Sequence, residues 1–336
     1  ANELVEVIYS TNQNIHFFLI GGKEKISVSY ITYINRFKGL IKFAVNMTKL
    51  YFTDSPVLVV HCLDIPLIKI FLIPFLIHEN AQLIWHIRGT DLYAPTLSNE
   101  YPFFYKIVDL IITKRFNSVV TNFNYDFLLA KNLYGIKKKK LMICSPSNCP
   151  EKINEEKFNT LLKDKNDEVI VGNSATISSN SLEILRNHSE LFSINDKLNF
   201  IFIGSYGHKS YLNELEKNNF FSNVNIQKDF LSNAQFSSWI SNFKFALLSP
   251  KRIQGAGVLM SLLQTGCTIY TFKNSPIDKY LSQFNFHYKL LEVNATKMTQ
   301  LSDEKLKSNY LKVNNEFNKK FCKKQWNTFH SEFREL

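Results

Sequence analysis

Short apolar runs rich in β-branched and aromatic residues return along this chain at intervals long enough to hold one helix. That rhythm limits the possible fold more than any other feature. The runs IHFFLI from Ile15, VLVVH from Val57, LIWHI from Leu83, SVVT from Ser118 and KLMIC from Lys140 mark the first half. Runs of this length and composition read as buried strands. Their alternation with helix-length segments implies a parallel sheet, since a parallel neighbour needs a crossover connection. After Cys144 the chain turns polar through SPSNCPEKINEEKFNTLLKDKNDE, with Pro146 and Pro150, which reads as a linker. The alternation restarts with EVIVG near Val169, FIFIG near Phe200, NVNIQ near Val224, KFALLS near Phe245 and CTIYTF near Ile269. The expected organisation is an N-terminal Rossmann-like domain over 1–148, a linker over 149–167, a second Rossmann-like domain over 168–304 and a helical segment over 305–336 anchored by Phe317, Phe321 and Trp326. A length of 336 residues suffices for two cores. Two such domains are expected to face each other across a cleft lined by the carboxyl ends of both sheets, where open α/β sheets bind ligands.

Two segments depart from the plain alternation. A doubly wound domain opens on a strand, whereas Glu3 to Ser10 reads as the tail of a helix, so a strand and its loop are expected before Ala1. The stretch Val57 to Ile77 is long enough to cross a bilayer, but His61, Asp64, Lys69, Pro66 and Pro74 interrupt it. It reads instead as a strand followed by a helix from Ile65 to Ile77, behind an Asp64 cap with Pro66 in the first turn.

An apolar share of 45% and a charged share of 21% exclude collagen, a disordered chain and a disulfide miniprotein. Forty Lys and Arg against 29 Asp and Glu leave +11, which favours an anionic partner: nucleic acid, a phosphorylated substrate or an acidic membrane surface. No RRM, KH or helix-turn-helix signature supports nucleic acid, so a basic nucleic-acid-binding protein is the non-enzyme alternative. The run Lys137 to Lys140 reads as a solvated loop or as a contact with anionic lipid. Five cysteines without CxxC pairing and the absence of a signal-peptide pattern from Ala1 lead to the expectation of a reducing, cytoplasmic setting.

Three turns at strand ends gather the chemistry. Trp85-His86-Ile87-Arg88-Gly89-Thr90-Asp91-Leu92-Tyr93 places three kinds of ionisable group at the carboxyl edge of the first sheet. Its bland alternative is a glycine turn with Asp91 capping its own backbone and His86 in the core. Val171-Gly172-Asn173-Ser174-Ala175-Thr176 offers backbone amides and hydroxyls to a phosphate, although Asn180 and Glu183 also fit a helix capping box. Lys251-Arg252-Ile253-Gln254-Gly255-Ala256-Gly257 precedes a helical VLMSLLQTG, giving a diphosphate a cation and the bare amides of a helix N-terminus. No Walker A loop, HExxH or DxD pair occurs, and the eight histidines lack ligand spacing, so neither a metal nor a cofactor is expected.

WHIRGTDLY, VGNSATISSNSLEIL and KRIQGAGVLMSLLQTG resemble, in order and spacing, the bacterial TDP-N-acetylfucosamine:lipid II N-acetylfucosaminyltransferase family, from about Phe17 to Trp326. The family's Trp-His-Ile-x-Gly-x-Asp-Leu-Tyr, Val-Gly-Asn-Ser and Arg-x-Gln-Gly-x-Gly patterns are all met; Arg88 and Ile253 depart from an expected aromatic residue and glutamine. The resemblance implies a GT-B glycosyltransferase of surface-polysaccharide assembly, peripheral at the inner face of the bacterial inner membrane. Its donor would be a TDP-sugar on the second domain and its acceptor a polyprenyl-linked glycan on the first. A UDP or GDP sugar used in O-antigen or capsule assembly is the alternative within enzymes. Asp91 is then the expected base, with His86 second, and His61, Arg88 and Tyr93 bind substrate. Gly172, Asn173, Ser174, Tyr206, Arg252, Gln254, Gly255 and Gly257 would bind the donor nucleotide, with Arg252 and the glycine amides on the leaving diphosphate.

Overall fold

In the computed structural model the residues described are 17–20, 31–34, 48, 51–52, 57–61, 78–87, 89, 92–93, 110–116, 118–136, 139–142, 149–292, 297–318, 320–325 and 328. Internal contacts divide the chain into two units, Ala1–Pro146 with Cys322–Leu336, and Ser147–Phe321. The helix expected over Ile65 to Ile77 and the segment Glu3 to Ser10 lie outside the described residues.

In the first unit the apolar runs become strands. β1 (Phe17–Ile20) pairs in parallel with β2 (Ile31–Ile34). β3 (Val57–His61), β4 (Gln82–His86), β5 (Ser118–Thr121) and β6 (Lys139–Met142) form a four-stranded parallel sheet in that order. Side chains alternate across a strand. Leu83, Trp85 and Ile87 accordingly join one core cluster with Phe116, Val119 and Tyr134, the last on α1 (Asn124–Tyr134). β2 was not anticipated, because four residues that mix Ile with Thr and Tyr give neither an apolar run nor clear alternation. The lysine run is also corrected: Lys139 and Lys140 lie in β6, paired with Ser118 and Val119, rather than in a loop. Among the described residues β6 stands at the end of its sheet.

The second unit holds β7 (Asn166–Val171), β8 (Asn199–Ile203), β9 (Val224–Gln227), β10 (Phe243–Leu247), β11 (Thr268–Thr271) and β12 (Lys289–Leu290). All pair in parallel in the order β12-β11-β10-β7-β8-β9. The chain builds outward from β7 to β9, then returns so that β10 lies on the other side of β7. That reversal is the topological switch point of a doubly wound sheet. The helices are α2 (Glu155–Lys163), α3 (Ser181–Asn187), α4 (Ser189–Ile194), α5 (Lys209–Lys217), α6 (Asn233–Ile240), α7 (Ala256–Gln264), α8 (Pro276–Gln283) and α9 (Asp303–Glu316). Val169, Val171, Phe200, Phe202 and Phe245 of the sheet pack with Leu185 and Phe192 of α3 and α4.

The expected linker over 149–167 carries α2 and belongs to this unit. Asn154 caps it, accepting from the Lys157 N–H at 2.9 Å, and Phe158 is buried on Leu301, Leu306 and Tyr310, stacked on Tyr310 at 4.3 Å between centroids. A helix that buries one aromatic residue and exposes charge elsewhere has the composition of a linker, which is why it read as one. α9 also belongs to the second unit, and the chain rejoins the first only at Cys322. Among the described residues no helix is long and apolar enough to cross a membrane.

Candidate functional site

β7 and β10 end side by side, with Val171 opposite Leu247, and the Gly172 N–H donates to the Leu247 carbonyl at 3.0 Å. Both phosphate-type turns therefore leave the sheet at one level. Gly172 has φ +67°, and a Cβ on it would stand 2.2 Å from Ser181 Oγ and 2.6 Å from Ser179 Oγ. Only glycine fits both the left-handed backbone and that approach. Gly255 repeats the device at the other turn, with φ +64° and Asn173 Nδ2 within 2.1 Å of a would-be Cβ. It is the N-cap of α7 and contributes no side-chain cap, and the first intrahelical bond runs from Leu259 N–H to its carbonyl. The first-turn amides of α7, including that of Gly257, have no acceptor within the helix.

Asn173, Ser174 and Gln254 are drawn together. Gln254 Nε2 donates to Asn173 Oδ1 at 2.8 Å, Ser178 Oγ donates to Gln254 Oε1 at 2.6 Å, and Ser174 and Thr176 share a hydrogen bond at 2.9 Å. Gly172, Asn173, Gln254, Gly255 and Val258 line a small pocket with the apolar Ile277. Arg252, partly buried beside it in sequence, donates from Nη1 to the Ile253 carbonyl at 3.3 Å. Lys251 pairs with Glu183 at 3.1 Å. That contact corrects the capping-box reading, for Asn180 has φ +64° and makes no side-chain cap, so Glu183 turns to the lysine. Tyr206 is 70% exposed in the turn after β8, where its carbonyl accepts from the Ala175 N–H at 2.6 Å.

Ser178 escaped the sequence reading. The signal was present in ATISSNS, where hydroxyls recur at spacings that a strand, a turn and a short 3-10 helix, Ile177–Ser179, fold into one cluster.

The first unit supplies the other turn. The register pairs His61 with His86 and His86 with Val120, so both histidines end neighbouring strands. His86 is buried, on the face opposite Trp85. The carbonyl of Gly89 accepts from the Leu92 and Tyr93 N–H groups at 3.1 and 2.9 Å. Arg88 and Asp91 themselves lie outside the described residues, and so does the side chain of His61. Tyr93 is buried, and its hydroxyl donates at 2.8 Å to Asp126, a buried carboxylate in the first turn of α1. Tyr93 thus hooks the turn after β4 to the helix after β5. Asp126 was not singled out from the sequence, although it too follows a strand end closely. Among the described residues no cluster of three or more His, Cys, Asp and Glu could hold a metal ion.

The sequence model of a family described as "4-alpha-L-fucosyltransferase glycosyl transferase group 56" matches residues 2–332. No curated protein sequence matches the chain. Among solved structures, OtsA in its apo form is similar with a TM-score of 0.65 and 9% identity, over 100% of this chain and 95% of that one. The N-terminal domain of Candida albicans trehalose-6-phosphate phosphatase gives 0.57 and 11%, over 89% and 74%. A UDP-forming trehalose-phosphate synthase from Burkholderia xenovorans gives 0.58 and 8%, over 88% and 78%. Likeness at such identities shows the fold, which is GT-B.

Proposed function

Because the chain belongs to the 4-alpha-L-fucosyltransferases of glycosyl transferase group 56 and is a nucleotide-sugar-dependent glycosyltransferase, we propose that its donor is a TDP-linked deoxy-amino sugar of the 4-acetamido-4,6-dideoxyhexose type. The acceptor in this reading is a polyprenyl-diphosphate-linked oligosaccharide of bacterial surface-polysaccharide assembly, met at the inner face of the inner membrane. The observation that supports the donor side is the junction of the two turns at the switch point. There Asn173 and Gln254 meet at 2.8 Å beside the uncapped N-terminus of α7. A diphosphate seated there would receive helix amides, including that of Gly257, and the Arg252 guanidinium, and Tyr206 would lie against the base.

In the transfer, the acceptor hydroxyl oxygen bonds to the anomeric carbon as the bond from that carbon to the diphosphate oxygen breaks. The hydroxyl proton passes to Asp91, and the charge left on the nucleoside diphosphate is met by Arg252 and the α7 amides. His86 is the second candidate for the proton, while His61 and Arg88 contact substrate. Tyr93, two positions after Asp91 in sequence, is held on Asp126.

Thermal unfolding with TDP, UDP and GDP tests the donor. TDP should raise the midpoint most, and a larger rise with UDP or GDP would select the alternative donor. Turnover then tests the base. Asp91→Asn should lower the chemical step by about two to four orders of magnitude with donor affinity nearly unchanged. Near-normal turnover in that variant, with collapse in His86→Ala, would transfer the role to His86.

A further inference from the structure

Asn173, Ser174, Thr176, Ser178 and Gln254 form a chain of hydrogen bonds across the switch point of the second unit. Each hydroxyl owns one proton, so one fixed end sets the direction of every bond. The Gln254 amide oxygen cannot donate, and Ser178 spends its proton there at 2.6 Å. Thr176 must then donate to Ser178 at 3.2 Å, and Ser174 to Thr176 at 2.9 Å. On the far side Gln254 Nε2 donates to Asn173 Oδ1 at 2.8 Å. The donors therefore run Ser174, Thr176, Ser178, Gln254 and end on the carbonyl of Asn173.

Both N–H bonds of the Asn173 amide are left outside the chain of bonds, and no group among the described residues accepts from that nitrogen. The nitrogen lies against Gly255, within 2.1 Å of where a Cβ would be, at the mouth of α7 and on the wall of the small pocket. An asparagine amide turned over has nearly the same shape and the opposite polarity. In one orientation it donates to an anion at α7; in the other it presents a carbonyl oxygen and repels one.

Gln254, donating to Asn173 Oδ1 at 2.8 Å, favours the first orientation. Its amide both accepts from Ser178 and donates to Asn173, which is a physical reason for glutamine where a turn residue would suffice. We infer that Gln254 is a positioning residue, which holds the Asn173 amide with its N–H groups toward a diphosphate at the N-terminus of α7. The inference rests on the reading of this turn pair as the donor-nucleotide site.

The test is titration calorimetry of the full chain with whichever of TDP, UDP and GDP binds most tightly, and with the corresponding nucleoside. Asn173→Ala should weaken the diphosphate about tenfold, as loss of a hydrogen bond to a charged group does. Gln254→Met, neutral and near in size, should cost a similar factor. The double variant should be no weaker than the weaker single, because both remove one device. Affinity for the nucleoside should stay within about twofold throughout, a selectivity that loosening of the whole turn would not preserve. Additive losses, or a parallel loss of nucleoside affinity, would overturn the inference. Should Gln254→Met fail to fold, Gln254→Leu also takes the donor from Asn173 and adds no charge beside the diphosphate. It should then show the same loss selective for the diphosphate, and an unchanged ratio would count against the inference. Arg252→Ala separates the two levels of the argument. If it weakens the diphosphate while Gln254→Met does not, the donor site stands and the positioning role falls. If Arg252→Ala and Asn173→Ala both bind as wild type, the donor site falls and takes the positioning role with it.

Discussion

Replacing Gly172 by alanine probes how tightly the first phosphate-type turn is built. The residue has φ +67°, and a non-glycine residue in the left-handed region costs about 1–2 kcal/mol. The new Cβ would also stand 2.2 Å from Ser181 Oγ and 2.6 Å from Ser179 Oγ, both on buried serines hydrogen-bonded to each other at 2.9 Å. Neither is the far end of a flexible chain, so backbone must move, and overpacking of this kind costs about 1–3 kcal/mol. Together the terms predict a loss of about 2–5 kcal/mol from the second unit. Removing both hydroxyls as well, in Gly172→Ala with Ser179→Ala and Ser181→Ala, leaves Ser181 Cβ at an ordinary 3.5 Å. The triple variant should therefore lose less than the sum of its parts by about 1–3 kcal/mol, the steric share. Urea unfolding followed by far-UV circular dichroism, with the nucleotide-stabilised transition assigned to the second unit, measures both. A single-variant loss below about 1 kcal/mol, or strict additivity in the triple variant, would refute the steric reasoning.

Phe158→Ala should cost about 3–5 kcal/mol in the same transition, because the ring is fully buried and stacked on Tyr310; a surface-like loss would mean that α2 is not part of that core. Tyr93→Phe removes the hydroxyl that donates to buried Asp126 and should destabilise the first unit by about 1–3 kcal/mol, read from unfolding of the full chain. His188, stacked on Phe272 at 4.6 Å, has its pKa lowered from the usual 6.5 by burial. As pH falls through 6.5 the unfolded chain takes up this proton before the folded one does, so stability drops on the acid side; His188→Phe should flatten that limb of a urea-midpoint profile between about pH 7 and pH 5.

Ten of the twelve strands coincide with runs visible in the sequence, but for unequal reasons. β11 is buried along its whole length and β7, β8 and β10 end in buried residues, so their apolar character survives any register, whereas β9 at the sheet edge buries only Val224 and was read from the alternation in NVNIQ. β12 is two residues long and β2 mixes Ile with Thr and Tyr, so neither offers a pattern to read. α2 shows the reverse difficulty, since one buried phenylalanine in a charged segment looks like an accident until Tyr310, far along the chain, is known to cover it. At the site, glycines and hydroxyls were legible as types. Their pairings were not, because Gln254 and Asn173 stand 81 positions apart and their meeting depends on strand order.

Strand order alone does not bring them level; register does, and the register is set at the opposite end of the sheet. Asn166 lies opposite Phe243, yet Val169 lies opposite Phe245, so β7 advances three residues where β10 advances two. The irregularity puts Val171 opposite Leu247. Without it the initial pairing would carry Val171 on to Leu248, and a one-residue slip turns side chains to the other face. The turn after β7 would then start one residue late relative to its partner. The Gly172 bond to the Leu247 carbonyl and the Lys251 bond to the Ser178 carbonyl, at 3.0 and 2.8 Å, both depend on the observed alignment. A bulge beside Asp167 and Lys244, themselves ion-paired at 2.7 Å, is thus a structural condition for the hydrogen-bonded side chains at the far end of the same two strands.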